Sequence, residues 1–203
     1  MSAFTSWGPT PNLDFKPEIT APGGNIFSTL NDNKYGIMSG TSMAAPHVAG
    51  GTALVMERVD KEFKLKKANR IKMAKNLMMN TSKPVEFVPG EYVSPRRQGA
   101  GLMQLANALS TNVVVTNQAN GEAKVALKEI KGNLATFTLE AHNFSNRAAT
   151  YDVDVAVQTD YALTVSGSCG TTQKQVGYNV VTEEVENNIL DRITILAKVR
   201  ATF

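Results

Sequence analysis

Residues 40–50 read Gly-Thr-Ser-Met-Ala-Ala-Pro-His-Val-Ala-Gly, and an almost wholly apolar stretch continues from there to Met56. No polar face interrupts this stretch before Glu57 and Arg58, so it predicts one helix that is buried on all sides. Pro46 is expected within about the first turn, where its missing N–H costs little.

Ser42 stands at the N-terminal edge of this helix. The first backbone N–H groups of a helix have no partner inside it, and the helix macrodipole favours negative charge at that end. Ser42 therefore offers a hydroxyl beside half of an oxyanion hole made of backbone alone. Gly40 is expected to let the chain turn sharply into the helix. The alternative is that Thr41 or Ser42 is only an N-cap, a common role for these residue types.

The rest of the first 110 residues predicts few further elements. Residues 1–39 are rich in Pro, Gly, Asn and Thr and predict loops around one short strand near Phe15 to Ala21. Apolar residues at helical spacing predict a second helix over Lys66 to Met79. A short helix from Leu102 to Leu109 is expected after Gly99-Ala100-Gly101.

After Ser110 the apolar residues alternate with polar ones, which indicates half-buried antiparallel strands. We therefore expect a β-sandwich from residue 111 and divide the chain into domains at residues 1–110 and 111–203. Residues 167–190 have little periodicity. The expected strands centre on Val113/Val115, Val125/Leu127, Phe137/Leu139/Ala141, Tyr151/Val153/Val155/Val157 and Arg192–Val199, and the expected turns on Asn120-Gly121, Gly132-Asn133 and Asn143–Asn146.

Composition limits the function classes. The formal net charge of +3 is too small to argue for nucleic acid, and the basic stretch from Arg58 to Lys75 is interpreted as a solvated helix face. Cys169 is the one cysteine, so the chain has no internal disulfide. No apolar run reaches the roughly 20 residues of a membrane helix, and the first residues carry no export signal pattern. No Asp-rich loop has the spacing of calcium ligands, so no metal site is expected.

The string from Gly40 to Gly50 resembles the nucleophile signature of the subtilisin family, Gly-Thr-Ser-Met-Ala-X-Pro-His. Residues 4–8 (Phe-Thr-Ser-Trp-Gly) and 16–23 (Lys-Pro-Glu-Ile-Thr-Ala-Pro-Gly) resemble segments that precede the nucleophile in that family. Residues 94–101 (Ser-Pro-Arg-Arg-Gln-Gly-Ala-Gly) resemble the segment that closes its catalytic domain. Among subtilases, the combination is most like the bacterial cell-envelope proteinases, the lactocepins and streptococcal complement-cleaving peptidases. The resemblance covers about residues 4–165.

The resemblance implies an α/β fragment of a subtilisin-like catalytic domain, followed by an incomplete fibronectin-III-like sandwich. It implies a secreted or cell-envelope serine endopeptidase that cleaves polypeptides and needs no cofactor. By position, Ser42 is the nucleophile and an oxyanion donor, and Thr41 supports that hole. Met43 lies beside the nucleophile on the leaving-group side, and the loop from Tyr35 to Ser39 shapes the wall near the scissile bond. Ser39 and Gly40 are adjacent to the substrate.

In this family the triad runs Asp, His, Ser along the chain, so a chain that begins just before the Ser segment is expected to lack the first two. The sequence has two histidines, and both follow Ser42. His47 lies five residues further along the same helix and points roughly 140° away, so we interpret it as structural. His142 is interpreted as an ordinary strand or surface residue. The isolated chain is therefore expected to have negligible peptidase activity.

Two hypotheses remain open. The first is a piece of a subtilisin-like endopeptidase that acts with its missing N-terminal segment, supplied in cis or in trans. The second is a truncated or degenerate product that serves only as a structural or binding module. Under either, the chain is expected to expose a large apolar patch at this helix or to bury it against the missing segment, its own sandwich or a second copy in a homo-oligomer.

Overall fold

A computed structural model of the chain describes residues 1–89, 91–130, 132 and 134–153, together with the backbone of four short strands beyond them. The helices are α1 (Thr41–Arg58), α2 (Lys67–Asn80), α3 (Pro95–Gln98) and α4 (Leu105–Ser110), and a π-helical turn, Val59–Phe63, extends α1. The strands are β1 (Ile26–Leu30), β2 (Lys34–Met38), β3 (Glu86–Val88), β4 (Glu91–Tyr92), β5 (Val113–Asn117), β6 (Leu139–Asn143), β7 (Ala149–Asp152), β8 (Gln158–Asp160), β9 (Tyr178–Val180), β10 (Arg192–Ile195) and β11 (Arg200–Thr202).

The core forms where α1, α2, α4 and β5 meet. Val55 and Val59 extend from the end of α1 against Leu77 of α2, and all three side chains are fully buried. Val114 of β5 joins the same cluster. Because side chains alternate across a strand, Val113 and Val115 face the other way, onto a smaller cluster around Ala141. The strand that follows the helices is therefore part of their core.

The helix α1 is buried on one face only, so the prediction of burial on all sides is wrong. Val55 has no exposed surface, whereas Ala49 and Ala53 are exposed and Leu54 keeps 48% of its surface exposed. The buried face packs on α2 and α4, and nothing in the described part of the chain covers the opposite face. Pro46 is the sixth helical residue rather than one of the first turn, so it leaves the carbonyl of Ser42 without its helical N–H donor.

The first 39 residues differ from the prediction. The strand expected at Phe15–Ala21 is reduced to one parallel bridge between Thr20 and Leu102. The chain instead builds the antiparallel hairpin β1–β2, in which Leu30 pairs with Lys34 across a three-residue loop. Asp32 and Asn33 in this loop have positive φ, a conformation that Asp and Asn tolerate better than most residues.

The two predicted helices that follow are confirmed, with shifted starts. The second begins at Lys67, within one residue of the expectation. The short helix begins at Leu105 instead of Leu102, because residues 101–103 exchange backbone hydrogen bonds with Thr20 and Lys83.

The region after residue 110 confirms part of the strand pattern. The strands at Val113, Leu139, Ala149 and Arg192 are present, and β5, β6 and β11 form one antiparallel sheet in the order β11-β6-β5. The turns at Asn120-Gly121 and Asn143–Asn146 are also present. The other described strands in this region form two separate two-stranded pairs, β7 with β10 and β8 with β9, and a complete two-sheet sandwich is not among the described residues.

Two strand predictions in this region are wrong. No strand contains Val125 and Leu127, because that segment is held by side-chain contacts to α2 and Glu18 rather than by a ladder. The strand expected from Phe137 begins only at Leu139, where the pairing with β5 ends. The expectations for Val155, Val157, Asn133, residues 196–199 and most of 167–190 lie outside the described residues. The domain division at residue 110 stays a prediction.

Within the described residues, no helix is both long enough and apolar enough to cross a bilayer.

Candidate active site

Ser42 is the second residue of α1 and is exposed. Gly40 occupies the N-cap position, so neither Ser42 nor Thr41 is the N-cap. Glycine has no side chain, and no side-chain hydrogen bond caps the helix. The Gly40 carbonyl accepts the N–H groups of Met43 at 3.0 Å and Ala44 at 3.4 Å. In the part of the chain that the structure describes, the hydroxyl and N–H of Ser42 have no hydrogen-bond partner. This is the local arrangement that a hydroxyl nucleophile and a backbone oxyanion donor require.

The expected role of Gly40 in a sharp turn is not what the structure shows. Its backbone is extended, with φ 160° and ψ 164°, and a Cβ added there would make only ordinary contacts, 3.7 Å from the Ser42 nitrogen at the nearest. The residue that needs to be glycine is Gly23, whose carbonyl accepts the Gly40 N–H at 2.8 Å. A Cβ on Gly23 would lie 2.7 Å from the Gly40 oxygen. The Gly23–Gly40 contact therefore fixes the chain just before Ser42.

Ser39 and Asn25 continue this contact. The Ser39 hydroxyl accepts the Asn25 N–H at 2.8 Å, and the Asn25 backbone has positive φ. Ser39 and Gly40, expected near the scissile bond, are thus held by hydrogen bonds to residues 23–25.

Ser42 lies in a groove of about 390 Å³ between α1 and the hairpin β1–β2. Met43 and His47 line the groove beside it on α1, and Gly36 and Met38 line it on the hairpin. Thr41 faces a different space, a cavity of about 630 Å³ on the other side of the helix start, which is also lined by Ala44 and Ala45. The structure brings Ser42 and Met43 into one groove and leaves Thr41 outside it.

His47 shares the groove with Ser42 but does not bond its hydroxyl. The Nδ1–H of His47 donates to the Met43 carbonyl at 2.9 Å, one turn back along its own helix. His142 lies in β6 with its ring stacked on Phe144, 4.3 Å between centroids, and lines another cleft. In the described structure, therefore, neither histidine forms a hydrogen bond with the hydroxyl of Ser42.

Three segments on either side of Ser42 in the sequence pack against each other. The Gly8 N–H donates to the Arg96 carbonyl at 2.7 Å, and the Arg97 guanidinium lies 4.8 Å from the Trp7 ring centre. Gly99, with φ +63°, carries the chain past Glu18, where a Cβ would lie 2.4 Å from the Glu18 carbonyl carbon. Segments 4–8, 16–23 and 94–101 therefore form one assembly next to the start of α1.

Glu18 is the electrostatic centre of this assembly. Its side chain is 14% exposed, and its carboxylate contacts the ammonium groups of Lys16 at 2.8 Å, Lys75 at 2.6 Å and Lys124 at 2.5 Å. Burial by itself raises the pKa of Glu18, but the hydrogen bonds from Lys124 and the two other lysines outweigh it and bring the pKa to about 2. The charged carboxylate therefore ties together residues 16–18, α2 and the segment after β5.

Three features of this region were missed in the sequence. The hairpin has a detectable signal, because Asn31-Asp32-Asn33 separates two short strands. The roles of Gly23 and Glu18 have no such signal, since both depend on partners far away in the chain. Among the described residues, no cluster of three or more His, Cys, Asp or Glu side chains could hold a metal ion.

Comparison with known proteins gives two family matches. Residues 1–101 match the subtilase family, peptidase S8, and residues 125–203 match the Fn3-like domain.

Several curated relatives match most of the chain. The PI-type proteinase of Lactococcus lactis subsp. cremoris is 40% identical over 177 residues, which are 81% of this chain and 9% of that protein. The C5a peptidase of Streptococcus pyogenes is 34% identical over 162 residues, which are 79% of this chain and 14% of that protein. The chain thus spans about a tenth of the length of these relatives.

Among solved structures, the CspB protease of Clostridium perfringens is 32% identical with a TM-score of 0.39, over 46% of this chain and 20% of that one. The sequence matches decide the assignment: over residues 1–101 this chain belongs to the subtilase family of serine proteases, and an Fn3-like region follows.

Proposed function

We propose that Ser42 is the nucleophile of a subtilisin-like serine endopeptidase whose catalytic Asp and His come from a segment outside this chain. The observation that carries the proposal is the environment of Ser42: an exposed hydroxyl with no described partner, at the N-terminus of an 18-residue helix, in an open groove. An N-cap role would engage that hydroxyl with the helix backbone, and no such bond is among the described contacts.

The groove suits a polypeptide substrate. In the proposed reaction the Ser42 oxygen attacks the scissile carbonyl carbon, its proton passes to the absent histidine, and the N–H of Ser42 donates to the developing oxyanion. Met43 and the hairpin residues from Tyr35 to Ser39 border the leaving-group side. Thr41 supports the oxyanion donor by fixing the first turn of α1.

We infer that the isolated chain is inactive. A lone serine hydroxyl is a weak nucleophile at neutral pH, and loss of the base in subtilisin itself lowers turnover on the order of a millionfold. The His47 ring is bonded to its own helix, and His142 lies in another cleft. No histidine of this sequence therefore serves Ser42.

We also propose an extracellular or cell-envelope location. Likeness to the proteinase of Lactococcus and the C5a peptidase of Streptococcus supports an exported enzyme that acts on polypeptides.

A fluorophosphonate probe tests the function in two steps. The purified chain alone should remain unlabelled. After mixing with, or fusion to, a subtilase segment that carries the Asp and His motifs, Ser42 should become labelled, and Ser42→Ala should abolish the label. Ser28→Ala is the matched control, because Ser28 is an exposed serine of the same groove and should leave labelling unchanged.

The two possible failures have different meanings. Labelling of Ser42 in the isolated chain would show that it needs no external base. Absence of labelling in a complemented protein that binds the added segment would reject Ser42 as the nucleophile and favour a non-enzymatic module.

A further inference from the structure

Residues 102–124 lie between the two family matches, which end at residue 101 and begin at residue 125. A connection of this kind between two domains is commonly a mobile linker. Here it contains α4 and β5, and Ala108 and Val114 from it are buried in the main core. The connection is therefore packed against the subtilase region. Side chains of α2 bind its backbone.

Two asparagines of α2 each bind the backbone of this connection with both ends of the side-chain amide. The Nδ2 of Asn76 donates to the Gly121 carbonyl at 2.9 Å, and its Oδ1 accepts the Ala123 N–H at 2.9 Å. The Nδ2 of Asn80 donates to the Val115 carbonyl at 2.9 Å, and its Oδ1 accepts the Val115 N–H at 2.6 Å. Each amide thus satisfies one donor and one acceptor of the main chain.

A third contact lies on the same side of the helix. Lys72 donates from Nζ to the Asn120 carbonyl. Residues 72, 76 and 80 are four apart, so they form one stripe along α2. All three bind backbone atoms, so the stripe recognises the path of the chain rather than its side chains.

The position of Val115 explains why this contact matters. β5 is the edge strand of its sheet, and the N–H and carbonyl of Val115 that bond Asn80 lie on the side away from β6. Asn80 therefore covers the open edge as a neighbouring strand would. Asn76 is 5% exposed, so loss of its amide would leave the partly buried Gly121 carbonyl and Ala123 N–H without this partner.

We propose that Lys72, Asn76 and Asn80 form a main-chain clamp that docks residues 115–123 on α2. Through this clamp the Fn3-like region is attached rigidly to the subtilase region rather than tethered by a free linker. α2 in turn packs on α1 through Leu77 and Val55, so the clamp sets the position of the following region relative to the helix that bears Ser42. The proposal does not depend on Ser42 being a nucleophile.

Hydrogen exchange of the full chain tests the clamp. Asn80→Asp and Asn76→Asp keep the size of the side chain and one acceptor oxygen but replace the donor NH2 with oxygen. In these variants the new carboxylate oxygen faces the carbonyl of Val115 or Gly121 that the NH2 had bonded, and repulsion between the two oxygens opens the clamp. The amides of Val115 and Ala123, respectively, should then exchange about tenfold faster or more, because each moves away from its side-chain acceptor. Asn69→Asp is the control: it places the same charge on an exposed position of α2 and should change neither amide.

The amide of Val55 in the core of α1 distinguishes local release from general destabilisation. A clamp predicts that Val115 or Ala123 is accelerated well beyond Val55. Equal acceleration of all three amides, or no acceleration relative to Asn69→Asp, would overturn the proposal. If an aspartate variant does not fold, Lys72→Gln offers a milder test: it should accelerate exchange and proteolysis in residues 120–123, and unchanged rates there would count equally against the clamp.

Discussion

Replacing Glu18 by glutamine removes the carboxylate on which three lysine side chains converge. Lys75 contacts it from α2 and Lys124 from the segment after β5, and Lys124 is as shielded as Glu18 itself, with 13% of its side chain exposed against 14%. Glutamine keeps the shape but not the charge. The variant therefore takes the described counter-ion from Lys75 and leaves the largely buried Lys124 with the more distant carboxylate of Glu122, at 3.8 Å.

The size of the effect follows from the pKa of Glu18. A folded pKa of about 2 against the ordinary value of 4.5 corresponds to about 3 kcal/mol of stabilisation at neutral pH. Because the folded pKa is the lower one, the unfolded chain takes up the proton first. The stabilisation is complete above pH 4.5 and is lost as the pH falls towards 2.

Urea unfolding measured between pH 2 and pH 7 gives the assay. Glu18→Gln should lower the free energy of unfolding by about 3 kcal/mol at pH 7, and the difference from the unsubstituted chain should shrink as the pH falls from 4.5 to 2. Glu57→Gln is the matched control, since Glu57 is 57% exposed and its described ion pair is with the exposed Lys61, so it should have little effect. The reasoning would be refuted if the free energy of unfolding had the same pH dependence below pH 4.5 in the unsubstituted chain and in the Glu18→Gln variant.

Further substitutions test the packing around α1. Gly23→Ala should destabilise the chain by about 1–3 kcal/mol in urea unfolding, because its Cβ would lie 2.7 Å from a backbone oxygen that cannot move aside. Gly50→Ala should instead add about 0.5–1 kcal/mol, since nothing lies within 4 Å of its Cβ position in the helix; a loss of stability would contradict the one-sided burial of α1. Arg58→Met should cost about 2–4 kcal/mol, because the buried guanidinium donates to a carbonyl and an amide oxygen near the end of α4, whereas the exposed Lys61→Met should change little in the same assay. Leu54→Lys should reduce self-association in size-exclusion chromatography without loss of stability, because this side chain is 48% exposed on the apolar face of α1; unchanged association would exclude that face as the contact.

The sequence determined the helix that bears Ser42, the second helix and the family. These features rest on local signals: an apolar stretch that starts after Gly-Thr-Ser, apolar residues at helical spacing in α2, and motif strings that can be compared position by position. The strand at Val113 followed from alternation, which is also local, and so did the presence of a strand at Tyr151, although β7 ends at Asp152, before the expected Val153. The hairpin β1–β2 was accessible to the same reasoning through Asn31-Asp32-Asn33 but was not predicted.

Tertiary structure alone decided which face of α1 is buried, which glycine the chain requires before Ser42 and what holds the chain after residue 110. An apolar sequence specifies that a helix can be buried, but only its neighbours determine which side is covered, as Leu54 and Val55 demonstrate. The contacts of Gly23 with Gly40, of Glu18 with Lys124 and of Asn80 with Val115 join residues 17 to 106 positions apart. Propensity and periodicity describe neighbours along the chain, so pairings over these separations become visible only when the chain is folded.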